Sequence, residues 1–452
     1  MSPFSVLIGE LRKSRSMRQG DFAKAIGYEQ SYVSGIESGT KSTPSDEFLQ
    51  KMKHTLELNN AELIKALFLS SSSFKENIDD SITKKMEISQ IWDDIEQKLS
   101  DDKFWSFVTN EKQDHYPTKI ELLFDVISNR KKNEIDPLFT FLYFLEKSKD
   151  GKQKLWDIWL SIEQYYLTLC EWYKDKNFYH KVGYLIAEEG KLNIRDLIEL
   201  SLKEKKNNFE SILDEKISNS VNFDIDTLSY ENTGDYKKIE KLLFLFNVES
   251  IRANENITEL YPFKFHKGVQ WSLEHIHAQN SESLDKTKRE PWYKWLNYHA
   301  KLLEELITDE NNTDNINDLQ ILLNEINQFN NERLTWEKFN SITAKVIEKF
   351  SEKSDGHADE MHSLSNLALL SQPDNAALNN AVFEVKRREI IKMDIRGSYI
   401  PLCTRRVFLK YYNNKPSTQQ QYFWSKSDRD SYLDAIKNVL EKYLPQEKIG
   451  QN

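Results

Sequence analysis

The chain has 452 residues, a formal net charge of −10, 39% hydrophobic and 30% charged residues, and two cysteines. That length exceeds one ordinary core, so two or three domains are expected, and the composition suits folded, helix-rich domains rather than a disordered chain. Cys170 and Cys403 can build neither a disulfide framework nor a four-cysteine zinc site. The start of the chain lacks a signal-peptide apolar core and no run approaches the roughly 18 apolar residues of a membrane span, so a reduced cytoplasmic protein without a membrane partner is expected.

Residues 4–63 break into short helical pieces. Val6, Leu7 and Leu11 have helical spacing; Phe22, Ala23 and Ile26 repeat it before Gly27, and Val33 and Ile36 continue it before Gly39. Small Ala23 and apolar Ile26, Val33 and Ile36 are what two helices crossing at a tight turn require. The polar stretch from Leu69 to Asp80 reads as a joint. Beyond it Ile91–Leu99 and the stripe Trp156, Trp159, Tyr166, Leu169 and Tyr173 predict helices whose aromatic faces form core. His180 is assigned to the fold, and no Gly-rich phosphate loop is present in this region.

The segment Gln19–Gly39 resembles the Xre/Cro-type helix-turn-helix family over roughly sixty residues. The resemblance implies that Gln30, Ser31 and Tyr32 read base edges, that Gln19 contacts phosphate, and that Arg12 and Glu37 form a buried structural ion pair. Glutamine can bond bidentately to adenine. Gly35 departs from the family, many members of which carry a longer base-contacting side chain there. DNA is therefore an expected partner, and a palindromic site would call for a homodimer.

The densest chemistry lies in Trp271–Asn280, WSLEHIHAQN. Val269, Trp271 and Leu273 alternate with polar residues, predicting a strand over Val269–His277 on which His275 and His277 face one way and Glu274 the other. A second piece, Leu364–Leu370, leads through a turn at Gln372–Asp374 into a helix expected near Asn375 with Asp374 as its cap. On one continuous helix Asn375, Asn379 and Lys386 would share a face, two hard-oxygen side chains and a cation suited to a metal ion and a phosphate. Residues 384–412 carry Lys386, Arg387, Arg388, Lys392, Arg396, Arg405, Arg406 and Lys410 against three acids, a basic strip on an acidic chain.

This arrangement resembles the ββα-metal HNH nuclease fold and, more closely, the C-terminal portion of GmrSD-type modification-dependent restriction endonucleases. Glu274-His275-Ile276, Leu364–Leu370 and Asn375–Arg388 carry the resemblance, which extends to Gly397–Pro401 and Arg406–Tyr412. It implies that His275 is the general base and Asn366 the asparagine that fixes the loop carrying it. Glu274, Asn375 and Asn379 would hold Mg²⁺, or another divalent cation such as Mn²⁺. Lys386, with Arg387 beside it, would contact DNA. His277 is the next candidate ligand; His357 and His362 rank below it.

The expected fold is mainly α: a helix-turn-helix domain at 1–66, a linker at 67–85, a helical domain at 86–262, and an α+β HNH domain at 263–452 with a helical insertion at about 281–361. The helix-turn-helix stands where GmrSD relatives carry a ParB-like sensor, so a separate ParB-like chain is a candidate partner. Two functions follow as expectations. One is a metal-dependent DNA endonuclease of restriction or anti-phage type, targeted or autoregulated by its own DNA-binding head. The other is a transcriptional regulator whose HNH-like part is non-catalytic and docks a partner.

Overall fold

Glycines and capping residues divide the N-terminal sequence into four helices, α1 (Pro3–Ser14), α2 (Gln19–Ala25), α3 (Gln30–Ser38) and α4 (Asp46–Thr55). The structure is a computed structural model describing residues 3–41, 45–58, 62, 66, 82–149, 152–188, 193–256, 258–277, 286–287, 289–309, 315–329, 334–352, 360–378, 381–413 and 422–445. Gly27 (φ 73°) turns the chain between α2 and α3, and Gly39 (φ 74°) closes α3; both occupy the left-handed region that a Cβ disfavours. Ser45 Oγ caps α4 by accepting the Phe48 N–H at 3.2 Å. Phe4, Ile8, Phe22, Ile26, Val33, Ile36, Phe48 and Met52 fill the core between these helices, and Leu138 with Phe141 completes it from farther along the chain.

The chain continues as α5 (Ile82–Ser100), α6 (Asp102–Val108), α7 (Glu121–Ser128), α8 (Phe139–Ser148), α9 (Lys152–Lys174), α10 (Lys176–Ala187), α11 (Ile194–Lys203), α12 (Lys206–Ser220), α13 (Tyr236–Arg252) and α14 (Phe263–Gly268). It divides into two compact units, Met1–Asp175 with Gly190–Lys205, and Lys176–Glu189 with Lys206–Asn452. The second unit thus opens inside the expected helical domain, at Lys176. The joint expected at residues 67–85 lies outside the described residues as far as 81, and its last four residues already belong to α5. In the first unit the aromatic residues form core: Trp92 stacks on Trp159 at 6.4 Å, and Phe104 and Phe107 meet Tyr173 at 5.1 and 5.6 Å.

The second unit is built around α13, buried along most of its length from Leu242 onward, and a two-stranded antiparallel sheet. β1 (Trp271–His275) pairs with β2 (Leu367–Ser371) in the register His275↔Leu367 to Trp271↔Ser371. β1 is shorter than the expected Val269–His277 strand. Val269 and Gln270 are exposed, and beyond His275 the Ile276 N–H turns to the Asn366 carbonyl at 2.8 Å. β2, LALLS, is buried at every position, and its outward carbonyls are satisfied by side chains rather than left as an open edge. Tyr432 Oη donates to Leu367 O at 3.1 Å and Thr404 Oγ1 to Leu369 O at 2.6 Å.

Between the strands run α15 (Arg289–Thr308), α16 (Ile316–Gln328) and α17 (Trp336–Glu352), whose apolar stripes close a core of their own around Trp292, Trp295, Leu303, Leu323 and Phe339. After β2 come α18 (Gln372–Leu378), α19 (Phe383–Ile395), α20 (Leu402–Phe408) and α21 (Lys426–Leu440). The protein is mainly helical, and no helix among the described residues is long and apolar enough to cross a membrane. His180 serves the fold: it accepts the Tyr261 N–H at 3.1 Å through Nε2 and bonds Lys176 O at 2.6 Å through Nδ1.

Candidate nucleic-acid interface and candidate active site

In the N-terminal helices the expected Arg12–Glu37 pair is present, with Nε to Oε1 at 2.7 Å and Nη2 to Oε2 at 3.0 Å. Gln19, assigned to phosphate, instead donates to Glu37 Oε2 at 3.0 Å and extends that network. Gln30 and Ser31 are exposed on the first turn of α3. Tyr32 is half-buried, its ring stacked on Tyr28 at 5.1 Å with the Lys41 ammonium 4.5 Å above it. Gly35 is buried beneath Lys41: a Cβ there would stand 2.7 Å from Lys41 Cγ. The missing side chain is therefore replaced by a lysine stem from beyond the helix.

In the second unit β1, β2 and α18 meet. Asn366 holds the chain just after β1: its Oδ1 accepts the His277 N–H at 3.0 Å, and its Nδ2 donates to His277 O at 3.2 Å and Met361 O at 2.8 Å. Asn375 reaches from α18 to β1, donating to Ser272 Oγ at 2.9 Å and Leu273 O at 3.3 Å. The helix starts three residues before Asn375, so Asp374 lies inside it, bonded to Ser371 Oγ at 2.5 Å. Asn379 lies outside the described residues.

The expected single helix carrying Asn375, Asn379 and Lys386 is corrected. α18 ends at Leu378 and α19 begins at Phe383, so Lys386 belongs to a second helix. It is wholly buried there, ion-paired with the nearly fully buried Glu274 and donating to the His275 carbonyl at 2.5 Å. A lysine enclosed in this way is not placed to meet a phosphate. Arg387 pairs with Glu384 at 3.3 Å. Most of the basic strip is likewise matched by acids. Arg388 meets Glu305 and Glu384, Lys392 meets Glu389, Arg405 meets Asp394 and Lys410 meets Asp428. Glu384, Glu389 and Asp394 lie within the strip, whereas Glu305 comes from 83 residues before Arg388.

His275 ends β1 with its ring against Tyr230 at 4.6 Å and His362 at 5.6 Å. Tyr230 and His362 arrive together because Tyr230 N–H bonds His362 O at 2.9 Å beside the Ser229–Ser363 bridge, and His362 Nε2 sits 2.9 Å from Glu231. His275 Nε2 is buried without a hydrogen-bond partner. Burial, then the Lys386 charge, then His362 push its pKa down to about 3, leaving the ring neutral. His277 is buried and pushed down to about 3 for the same leading reason. Burial pushes the Glu274 carboxyl up, against the Lys386 ammonium.

A divalent cation does not fit these residues as they stand. Glu274 is taken by Lys386, and Asn375 is held to β1 through its Nδ2, with its oxygen the only ligating atom it could offer; among the described residues no group of three His, Cys, Asp or Glu could hold a metal. Sequence reasoning missed Tyr230, Lys41 and the pairing of Glu274 with Lys386. His362, ranked below His277 as a ligand, carries the one usable signal: it lies two residues before the Leu364–Leu370 segment.

Comparison with known proteins supports the N-terminal part. A helix-turn-helix family model matches residues 8–59, so the chain carries an Xre-like helix-turn-helix DNA-binding domain at its N-terminus. No curated protein and no solved structure matches the chain.

Proposed function

We propose that this DNA-binding protein hydrolyses DNA phosphodiesters through its second unit, as an endonuclease of restriction or anti-phage type targeted or autoregulated by its helix-turn-helix. The observation that carries the reading is the buried, unpartnered His275 Nε2, on a strand pair and helix tied together by Asn366 and Asn375. In the mechanism a water oxygen attacks phosphorus while its proton passes to His275 Nε2. The P–O ester bond breaks, and the leaving oxygen takes a proton from solvent. The low pKa keeps the ring neutral, Nε2 accepts in the tautomer protonated at Nδ1, and an arriving phosphate anion offsets the Lys386 field and raises its basicity. Tethering to a DNA-binding head raises the local concentration of substrate.

The test is cleavage of plasmid and of modified and unmodified phage DNA, with Mg²⁺, with Mn²⁺ and with chelator. His275→Ala is expected to lower the rate by about 100-fold or more; undiminished cutting by that variant sinks the assignment. The Glu274–Lys386 pair favours a second reading, a transcriptional regulator whose second unit docks a partner without catalysis. Salt-sensitive binding to its own promoter, with no cleavage under any metal, selects that reading.

A further inference from the structure

We propose that the Glu274 pocket is a cation site that the protein fills itself, with the Lys386 ammonium as its resident cation. Two hard oxygens from consecutive residues, the Glu274 carboxylate and the His275 carbonyl, converge on one Nζ. Such donors suit a small hard cation, and an ammonium with three donor hydrogens meets both. Lys386 is fully enclosed and the Glu274 side chain is 6% exposed, so water cannot take over either partner's role. A divalent ion at the same carboxylate would stand against a buried positive charge in a poorly screened place.

The backbone leaves the lysine little room to withdraw. The Val382 N–H, just before α19, donates to His299 Nε2 at 3.3 Å, and Val382 O accepts the Lys386 N–H at 3.1 Å. Ala381, Val382 and Val385 belong to the core built by α15, α16 and α17. The helices inserted between β1 and β2 therefore set the register that delivers Lys386 to Glu274. Lys386 is a positioning residue: it fixes the end of β1, and with it His275. This inference stands on packing and holds whether or not the site cuts DNA.

The full chain, stripped of metal, is titrated with Mn²⁺ while thermal unfolding and bound Mn²⁺ (by electron paramagnetic resonance) are followed. Wild type and Glu274→Gln are expected to respond alike. Lys386→Met leaves Glu274 buried and uncompensated; it is expected to melt lower, to gain a bound Mn²⁺ and to recover by about 2–4 °C or more as that ion binds. Adding Glu274→Gln to Lys386→Met is expected to restore the melting temperature without metal and abolish the Mn²⁺ response. Mn²⁺ stabilisation of wild type that disappears in Glu274→Gln overturns the proposal, as does a folded Lys386→Met that gains no Mn²⁺ response. If Lys386→Met does not fold, the comparison of wild type with Glu274→Gln decides alone.

Discussion

Two ion pairs organise the two units, and they differ in how far the chain travels to make them. Arg12 meets Glu37 across 25 residues within four consecutive helices, and both side chains still reach solvent, at 9% and 13% exposure. Lys386 meets the end of β1 across 111 residues, with nothing of the lysine exposed. The first pair is assembled by short turns that the sequence announces with Gly27 and Gly39. The second is assembled by a three-helix excursion whose sequence shows amphipathic stripes but not what they deliver. Local packing tolerates adjustment. Packing closed over a long excursion fixes a buried charge that water cannot rescue.

The largest separation between the units is expected in acid. The second unit contains His180, held down to about 4, and His266, His275, His277 and His299, each held down to about 3 mainly by burial. Their folded pKa values lie below the unfolded value near 6.5, so the unfolded chain takes up protons first. The stability they contribute is complete above about pH 6.5 and falls as pH drops toward 3–4, by at most about 1.4 kcal/mol per histidine per unit. The described histidines of the first unit, His54 and His115, are exposed. Hydrogen exchange between pH 7.5 and 5 is expected to show protection failing in α13, β1 and β2 before α1–α4. Simultaneous loss breaks the comparison.

Next in size is the loss of each cation. Lys386→Ala strands a buried carboxylate and is expected to cost about 3–5 kcal/mol. Arg12→Ala removes hydrogen bonds to Glu37 and to Met17 O at a partly wet site and is expected to cost about 1.5–3 kcal/mol. Denaturant midpoints at constant slope measure both. Equal costs would show that burial does not separate the two pairs.

The same contrast explains what was legible. Helix periodicity placed the helix-turn-helix, the aromatic core and the three inserted helices, and alternation placed β1 to within two residues at each end. Asn366 lies one residue before β2 and Asn375 four residues after it, and both bond to β1 or the chain just beyond it. The reading of Lys386 failed because periodicity ran straight through the break between Leu378 and Phe383. The basic strip is partly neutralised from outside as well as from within: Glu274 and Glu305, which pair with Lys386 and Arg388, lie far away in sequence, while Glu384, Glu389 and Asp394 lie inside it. Charge patterning along a chain reports only the neighbours it can see.

The smallest expected effect lies at Gly35, where two opposing contributions nearly cancel. Alanine in the body of α3 gains about 0.5–1 kcal/mol over glycine because the unfolded chain loses freedom. Its Cβ would meet Lys41 Cγ at 2.7 Å, so the lysine stem must swing away. That movement takes the ammonium off the Tyr32 ring, a contact at 4.5 Å worth about 0.5–1 kcal/mol at an exposed site. The backbone has little reason to follow, because Thr40 and Lys41 N–H both hold the Gly35 carbonyl, at 2.9 and 3.0 Å. Gly35→Ala is thus expected to change stability by less than about 0.5 kcal/mol in either direction. A loss above about 1 kcal/mol on chemical denaturation would mean that α3 itself has shifted. The first unit would then be as unforgiving at its surface as the second is around Lys386.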